Sequence, residues 1–278
     1  MNMELSNLLL QFSALLYLIS MVLYSLFLYN QKTKIQKTGF RIIFAAFAIH
    51  LLGLTAYTLV NRHAPIQDLS QSLSVSALAI GIMFLYFQYR FELKILGVFT
   101  SILLAAIMLA AVITIPQSPV TVNETLSGFW FYSHITLVFT GDASLALACG
   151  AGILYLLQEK GIKSKNPGFF FKRLPSLGLL DNVGYACLTT GFALLTIGLM
   201  TGFIYAKTIW GRFWSWDPKE VFSAGTWLVY AALLHLRLNA GWRGKKSAVM
   251  TIVGFIIIIF TFFGVNFLLG GHHQAFTK

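Results

Sequence analysis

Residues 210–220 read WGRFWSWDPKE, and this segment joins two long apolar runs, 180–206 and 221–242. Apolar runs of about 20 residues are long enough to cross the hydrocarbon core of a bilayer as helices. The segment between them holds three of the chain's six tryptophans together with several charged side chains. We therefore predict two membrane helices joined by an aromatic connection, which we call the tryptophan-rich segment (210–220).

The composition extends this prediction to the whole chain. Of 278 residues, 57% are hydrophobic and 10% are charged, which is typical of a polytopic membrane protein and not of a soluble one. We predict an all-α, polytopic membrane helical bundle of about eight transmembrane helices, forming one integral membrane domain, 1–278. Residues 1–128 would form a four-helix part, and residues 129–278 would carry the tryptophan-rich segment. The apolar runs are 5–29, 38–60, 71–89, 93–114, 129–157, 180–206, 221–242 and 248–270.

The net charge of +11 is unevenly distributed over the connections. Fifteen of the 20 Lys and Arg residues follow the first, third, fifth and seventh runs, and five lie on the opposite side. Because basic residues concentrate on the cytoplasmic side of membrane proteins, both termini and the tryptophan-rich segment are expected on the outer (periplasmic or lumenal) side. This pattern indicates a lipid bilayer as the partner and excludes nucleic acid. The five outer residues are Arg62, Lys207, Arg212, Lys219 and Lys278.

The tryptophan-rich segment has two interpretations. Trp210 and Trp214 would share a face if the segment were helical, and with Trp216 beside them they could line a slot for a flat aromatic ligand. The alternative is an interfacial aromatic belt, an interpretation that suits isolated residues such as Trp227 better than a cluster.

The end of the segment carries a helix start signal. Asp217, Pro218 and Glu220 occupy the N-cap, first and third positions of a helix that would become the seventh span. Helix capping and ligand binding both remain open for Asp217.

Six histidines are candidate ligands for a planar, iron-containing cofactor, which needs axial nitrogen donors. His134 at the start of the fifth run and the doublet His272-His273 after the eighth are expected on the same side as the tryptophan-rich segment, where two imidazoles could bind iron from opposite faces. His50 and His235 lie inside apolar runs, where an ionisable group suggests function. Each could bind a metal or donate a hydrogen bond to a neighbouring helix. Near Arg62 in an outer loop, His63 is expected to be structural or to line the rim of the site.

WGRFWSWDPKE, followed by a span that ends Leu234-His235-Leu236-Arg237, resembles the tryptophan-rich "WWD" signature of haem-handling proteins. The resemblance is strongest to the CcsA/ResC-type subunit of system II cytochrome c biogenesis, and it runs from about residue 129 to the C-terminus. Three further stretches support it: Leu180-Asp181-Asn182, Leu195-Thr196-Ile197-Gly198, and Gly264-Val265-Asn266 leading into Gly270-Gly271-His272-His273.

The resemblance implies a set of roles for the histidines. His134 and His273 match the family's paired outer-face haem ligands, and His235 matches its intramembrane haem ligand. The family's second intramembrane ligand comes from a CcsB/ResB-type partner, so His50 need not be that ligand. The doublet leaves the choice between His272 and His273 open. An element after the second span is degraded, with Gln71 where the family has an acidic residue.

The function implied by the resemblance is haem delivery for cytochrome c maturation. Haem b would be held in the membrane, exported to the outer face and presented there for thioether attachment to the CxxCH motifs of apocytochrome c. The chain would be part of a holocytochrome c synthase in a bacterial inner membrane, with a thylakoid membrane as the alternative. Trp210, Trp214, Trp216 and Asp217 would hold the macrocycle, and Arg212, Lys219 or Lys207 would pair with its propionates.

Two rival functions remain open. A b-type cytochrome anchor of a quinone-linked oxidoreductase would use the histidines for permanent haem, but it leaves the tryptophan cluster unexplained. A non-haem coupled transporter would use Asp142 and Asp181 as its intramembrane acids. Asp142 could also orient His134 as a hydrogen-bond acceptor.

Overall fold

The structure is a computed structural model that describes residues 3–116, 122–164, 168–169 and 171–264. Within these ranges the chain is helical and contains no strand. The eight α-helices of the described part are long and apolar enough to cross a membrane, which confirms the predicted all-α membrane bundle. They are α1 (Met3–Asn30), α2 (Thr33–Asn61), α3 (Leu69–Phe91), α4 (Leu96–Ile113), α5 (Phe129–Lys163), α6 (Leu177–Trp210), α7 (Pro218–Asn239) and α8 (Lys245–Ile259), which continues into a π-helical turn, Phe260–Gly264.

Some helices extend beyond the apolar runs. α2 begins at Thr33, before the predicted start at 38, and α5 continues to Lys163, past the predicted end at 157. An apolar run marks the part of a helix that suits hydrocarbon, whereas Lys, Gln and Glu also favour helix. At the end of α5 the Lys163 ammonium lies 2.7 Å from the Glu159 carboxylate, and its charge complements the helix dipole.

The described helices form two compact units, α1–α4 and α5–α8, with the boundary between Ser127 and Gly128. In the first unit α1 packs against α2 and α4, and α3 packs against α4. Its interior is rich in aromatic side chains, and Tyr17, Tyr24 and Phe84 are fully buried there.

In the second unit α5 and α6 approach each other through glycines. A Cβ atom at Gly141 would lie 2.9 Å from a backbone nitrogen of α6, and one at Gly191 would lie 2.7 Å from Cγ of Leu145. At Gly198 it would lie 2.9 Å from a side-chain carbon of Val138. Small residues allow close contact between membrane helices. We call Gly141, Gly191 and Gly198 the glycine contact.

The start of α7 matches its prediction. The Asp217 carboxylate accepts a hydrogen bond from the backbone N–H of Lys219 at 2.9 Å, Pro218 is the first helical residue, and the Glu220 carboxylate accepts from the Asp217 N–H at 3.3 Å. Glu220 also accepts hydrogen bonds from the Ser215 N–H and hydroxyl at 2.8 and 2.9 Å. The capping box is therefore confirmed, and it ties the tryptophan-rich segment to α7.

Trp227 connects α6 and α7. Its ring stacks on Phe192 with centroids 5.6 Å apart, and its indole N–H donates to the Thr196 hydroxyl at 2.9 Å. The polar atom of Trp227, a residue expected in an interfacial belt, thus has a protein partner on the neighbouring helix.

A buried ion pair joins α6, α7 and the start of α8. Arg237 donates to both carboxylate oxygens of Asp181 at 2.9 and 2.7 Å, and Nη1 also donates to the Ser247 hydroxyl at 3.1 Å. The Asp181 carboxylate accepts the backbone N–H of Gly244 at 3.0 Å, and the guanidinium carbon lies 4.5 Å from the centre of the Tyr185 ring. Asp181, considered above as a transporter acid, is therefore paired with Arg237 in a contact that joins helices.

Candidate functional site

The helix that leads into the tryptophan-rich segment ends at Trp210. Gly211 adopts the left-handed conformation (φ 71°), and its N–H donates to the Lys207 carbonyl at 3.1 Å. Residues 211–217 are not helical, so Trp210 and Trp214 do not share the helical face considered above. The glycine directly after the last apolar turn is the sequence signal for this end.

The indoles of the segment pack on α6 and on each other. Trp214 lies against Phe203, with ring centroids 6.0 Å apart, and against Trp216 at 5.6 Å with an interplanar angle of 88°. Trp210 lies edge-on to Tyr205 at 5.9 Å. Edge-to-face contacts are a favourable arrangement of aromatic rings, but they do not make the parallel walls of a slot one ring thick. The segment presents an aromatic surface instead.

Trp216 is the most exposed residue of that surface, with 78% of its area accessible. Its backbone is left-handed, with φ 59°. A bulky residue in this conformation is uncommon, and backbone strain of this kind costs about 1–3 kcal/mol. The fold therefore exposes a large aromatic side chain on a residue whose backbone conformation is strained.

The charged side chains in the segment and in the last turn of α6 before it differ in their surroundings. Asp217 is buried, with 5% exposure, and caps α7. The Lys207 ammonium donates to the Gly211 carbonyl at 2.8 Å and lies 5.4 Å from the centre of the Phe213 ring. Arg212 is exposed, so its guanidinium is accessible to an anionic group.

His134 lies in the second turn of α5 and packs against α6. Its Nδ1 atom is 2.7 Å from the Gly198 carbonyl oxygen. Because a carbonyl only accepts, Nδ1 carries the hydrogen, and the lone pair of the neutral ring is then on Nε2. Asp142 lies two turns further along α5, and the role of acceptor considered for it is taken by the Gly198 carbonyl.

His134 and the tryptophan-rich segment meet the same turn of α6. The His134 ring contacts α6 at Gly202, where a Cβ atom would lie 2.6 Å from Nδ1. The next residue, Phe203, is the one that Trp214 packs against. The segment thus folds back along α6 to the turn that His134 contacts, so both predicted features lie against one turn of this helix in the second unit.

His50 is completely buried in the first unit, where its Nε2 lies 2.7 Å from the Ser74 hydroxyl and its ring is edge-on to Tyr17 at 6.1 Å. The hydrogen bond to a neighbouring helix, one of the two alternatives above, is therefore present. An imidazole enclosed in this way offers no open face to a macrocycle.

His235 is exposed and lies four residues before the end of α7. It is about 26 Å from the start of α7, at 1.5 Å per residue. Its Nδ1 lies 3.0 Å from the Asn239 amide nitrogen. Val221 and Leu228, which precede it at intervals of seven residues, are 41% and 60% exposed. His235 thus belongs to an exposed, mostly apolar stripe of α7.

His272 and His273 lie outside the described residues. The remaining histidine, His63, has its Nδ1 3.1 Å from the Ala64 carbonyl and its ring edge-on to Tyr57. These contacts are local, in keeping with the structural role expected for it.

A polar network before α3 was not foreseen from the sequence. Asp68 caps α3 by accepting the Gln71 N–H at 2.8 Å, and the Gln71 amide contacts the Tyr57 hydroxyl and the Gln67 N–H. Burial raises the pKa of the Asp68 carboxyl, against the opposing effect of hydrogen bonds from the backbone N–H groups of Gln71 and Ser70. Gln71, which departs from the family pattern, thus joins α2 to the start of α3.

Comparison with known proteins identifies the family. The eight helices and the aromatic segment define a multi-pass membrane protein, and the sequence profile of the family described as "Cytochrome C assembly protein" matches residues 68–273. The chain belongs to this family and is of the CcsA type. It is 28% identical over 277 residues to the cytochrome c biogenesis protein CcsA of Chlorella vulgaris, covering 88% of each chain. The corresponding protein of Chlamydomonas reinhardtii is 32% identical over 223 residues, covering 77% of this chain and 61% of the relative.

A solved structure has a similar fold. The cytochrome c haem lyase CcmF superposes with a TM-score of 0.63 at 18% sequence identity. The match covers 93% of this chain but 46% of the other, so this chain spans less than half of that longer protein. This likeness shows a shared fold, and the family and the CcsA relatives place the chain in cytochrome c biogenesis.

Proposed function

We propose that the chain holds haem b in the membrane, exports it to the outer face and presents it at the tryptophan-rich segment for thioether attachment to the CxxCH motif of apocytochrome c. The observation that carries this proposal is that Trp214 and His134 contact neighbouring residues of one turn of α6, Phe203 and Gly202 respectively. An imidazole with its lone pair on Nε2 is a suitable axial ligand for iron, and a macrocycle beside it would reach the aromatic surface.

His273 supplies the second outer ligand in this proposal, with His272 as the alternative within the doublet. Axial coordination by two imidazoles keeps the iron protected until the substrate's own histidine replaces one of them. The cysteine thiols add across the haem vinyl groups, and each addition forms one C–S bond while the thiol proton goes to the vinyl carbon. The protein supplies position and electrostatics, and the reactive groups belong to haem and apocytochrome.

Arg212 is the propionate partner that best fits its surroundings, because it is exposed and lies between Trp210 and Trp214 in the sequence. Charge-assisted hydrogen bonds from a guanidinium to a carboxylate are among the strong ones. Lys207 and Lys219 are further candidates. Asp217 contributes by fixing the start of α7 and with it the end of the aromatic segment.

His235 holds haem earlier in the path. It stands on the exposed stripe of α7, where a macrocycle or the helix of another subunit has access to it. We assign the opposite ligand to a CcsB/ResB-type partner, with which the chain forms a holocytochrome c synthase in a bacterial inner membrane or a thylakoid membrane. His50 is left with its hydrogen bond to Ser74.

The test is the haem content and optical spectrum of the purified protein, co-expressed with its partner, for wild type and for His134→Gly, His235→Gly and His273→Gly. Each substitution is expected to lower haem occupancy or change the axial spectrum, and to reduce cytochrome c maturation. Free imidazole, added in place of the missing side chain, is expected to restore coordination. His63→Gly is the matched control and is expected to leave the spectrum unchanged. A wild-type protein without haem under reducing conditions refutes the proposal.

A further inference from the structure

The environment of His134 on α6 is unusually restrictive. A Cβ atom at Gly202 would lie 2.6 Å from Nδ1 and 2.7 Å from Cε1 of the His134 ring. Real Cβ atoms do not approach so closely, so even alanine at position 202 requires the imidazole to move. The absence of a side chain at this position is what allows the ring to lie against the helix.

The acceptor for the ring is held in place by a second glycine. A Cβ atom at Gly198 would lie 3.0 Å from the backbone nitrogen of Val138, so α5 and α6 are in backbone contact one turn away from Gly202. This approach brings the Gly198 carbonyl to 2.7 Å from Nδ1 of His134. The same carbonyl accepts the Thr201 hydroxyl at 2.8 Å.

His235 provides an internal contrast. Its two ring nitrogens lie 3.0 and 3.4 Å from the Asn239 side-chain amide, on an exposed part of α7. An amide side chain can donate or accept according to its rotation, so this neighbour does not select a tautomer. The carbonyl beside His134 accepts only, and it does select one.

We infer that Gly202 is a positioning residue for His134, acting together with the Gly198 carbonyl. Gly202 leaves room for the imidazole, the carbonyl fixes the Nδ1–H tautomer, and Nε2 is thereby presented as the donor atom for iron. Hydrogen bonds of this kind to a ligating histidine orient the ring and raise its basicity, and their loss lowers metal affinity by about 10- to 100-fold. The assignment of Nε2 as the donor atom for iron rests on the proposed function.

The first experiment needs no haem. Nitrogen-15 NMR of the histidine rings in the haem-free full-length protein, with the His134 signal assigned by its absence in His134→Gly, reports which nitrogen carries the proton. The wild-type ring is expected to be the Nδ1–H tautomer, and Gly202→Ala is expected to shift it toward a mixture. A wild-type ring with its proton on Nε2 overturns the inference, whether or not Gly202→Ala folds.

The second experiment measures haem binding by titration for Gly202→Ala and for Gly184→Ala. Position 184 is the matched control on α6, because a Cβ atom there would meet only the Cβ of Ala151 at an ordinary 3.6 Å. Gly202→Ala is expected to weaken haem binding by about 10- to 100-fold, with recovery of the axial spectrum in free imidazole, and Gly184→Ala to bind as wild type does. Equal binding by both variants overturns the inference. A tautomer that responds to Gly202→Ala in a protein that binds no haem supports the positioning role and refutes the proposed function instead.

Discussion

Replacing Asp181 by asparagine tests the ion pair that joins α6, α7 and α8. The substitution keeps the shape of the side chain but leaves the Arg237 guanidinium, 6% exposed, without its counter-charge. Removing one partner of a buried pair costs about 3–5 kcal/mol. Because the Asp181 side chain is 15% exposed and water reaches it in part, we expect a loss near the lower bound, about 3 kcal/mol of unfolding free energy.

The assay is reversible unfolding of the purified protein by titration of denaturing detergent in mixed micelles, read by tryptophan fluorescence. Glu159→Gln is the control, since it removes the partner of Lys163 in a pair whose lysine is 68% exposed. Exposed pairs contribute about 0–1 kcal/mol, so the control is expected to unfold as wild type does. If Asp181→Asn also stays within about 0.5 kcal/mol of wild type, as substitutions without structural consequence do, the reasoning about the buried pair is wrong.

Three further predictions for the second unit are tested by the same unfolding assay. Asp217→Ala removes the N-cap of α7 and is expected to lower stability by about 1 kcal/mol; an unchanged value contradicts the capping role. At position 216, Trp216→Gly is expected to be about 1 kcal/mol more stable than Trp216→Ala, because only glycine adopts the left-handed backbone without strain. If Trp216→Ala were the more stable of the two, the conclusion that the backbone at position 216 is strained would be wrong. Trp227→Phe keeps the stacked ring but removes the hydrogen bond to Thr196, and a loss of about 1 kcal/mol is expected. Adding Thr196→Val to Trp227→Phe is expected to lower the stability little further, because the hydrogen bond is already lost. If the double variant loses the sum of the two single losses, the hydrogen bond does not contribute.

The helices were predictable because each needs only a local signal. An apolar run long enough to span a bilayer marks each one, and Asp217, Pro218 and Glu220 mark the start of α7 by their spacing alone. The end of α6 at Trp210 was also marked locally, by Gly211, but the spacing of the tryptophans suggested a continuous helix. Helix ends beyond the apolar runs were missed because polar helix formers end the hydropathy signal at the edge of the hydrocarbon, whereas the helix itself continues through them.

The pairings between helices could not be predicted in the same way. The Gly198 carbonyl beside His134 belongs to the backbone, so no residue type announces it. Asp181 and Arg237 are 56 positions apart, and each alone was consistent with a solvent-facing or transporting role. His134 and the tryptophan-rich segment were expected on one side of the membrane. That both contact the same turn of α6 depends on how the segment folds back, which the sequence does not indicate.

The glycine contact also has a mechanical consequence. With Gly191 against Leu145, a screw motion of α6 by a single residue, a translation of about 1.5 Å with a rotation of about 100°, would bring Thr190 or Phe192 to a place that has no room for a Cβ atom. We therefore expect the two longest helices of the second unit to keep one register and to move as a pair. Any change of shape during turnover falls to the other elements of that unit, among which α7 carries both His235 and the attachment of the aromatic segment. The α5–α6 pair is the stationary frame against which such a movement would be measured.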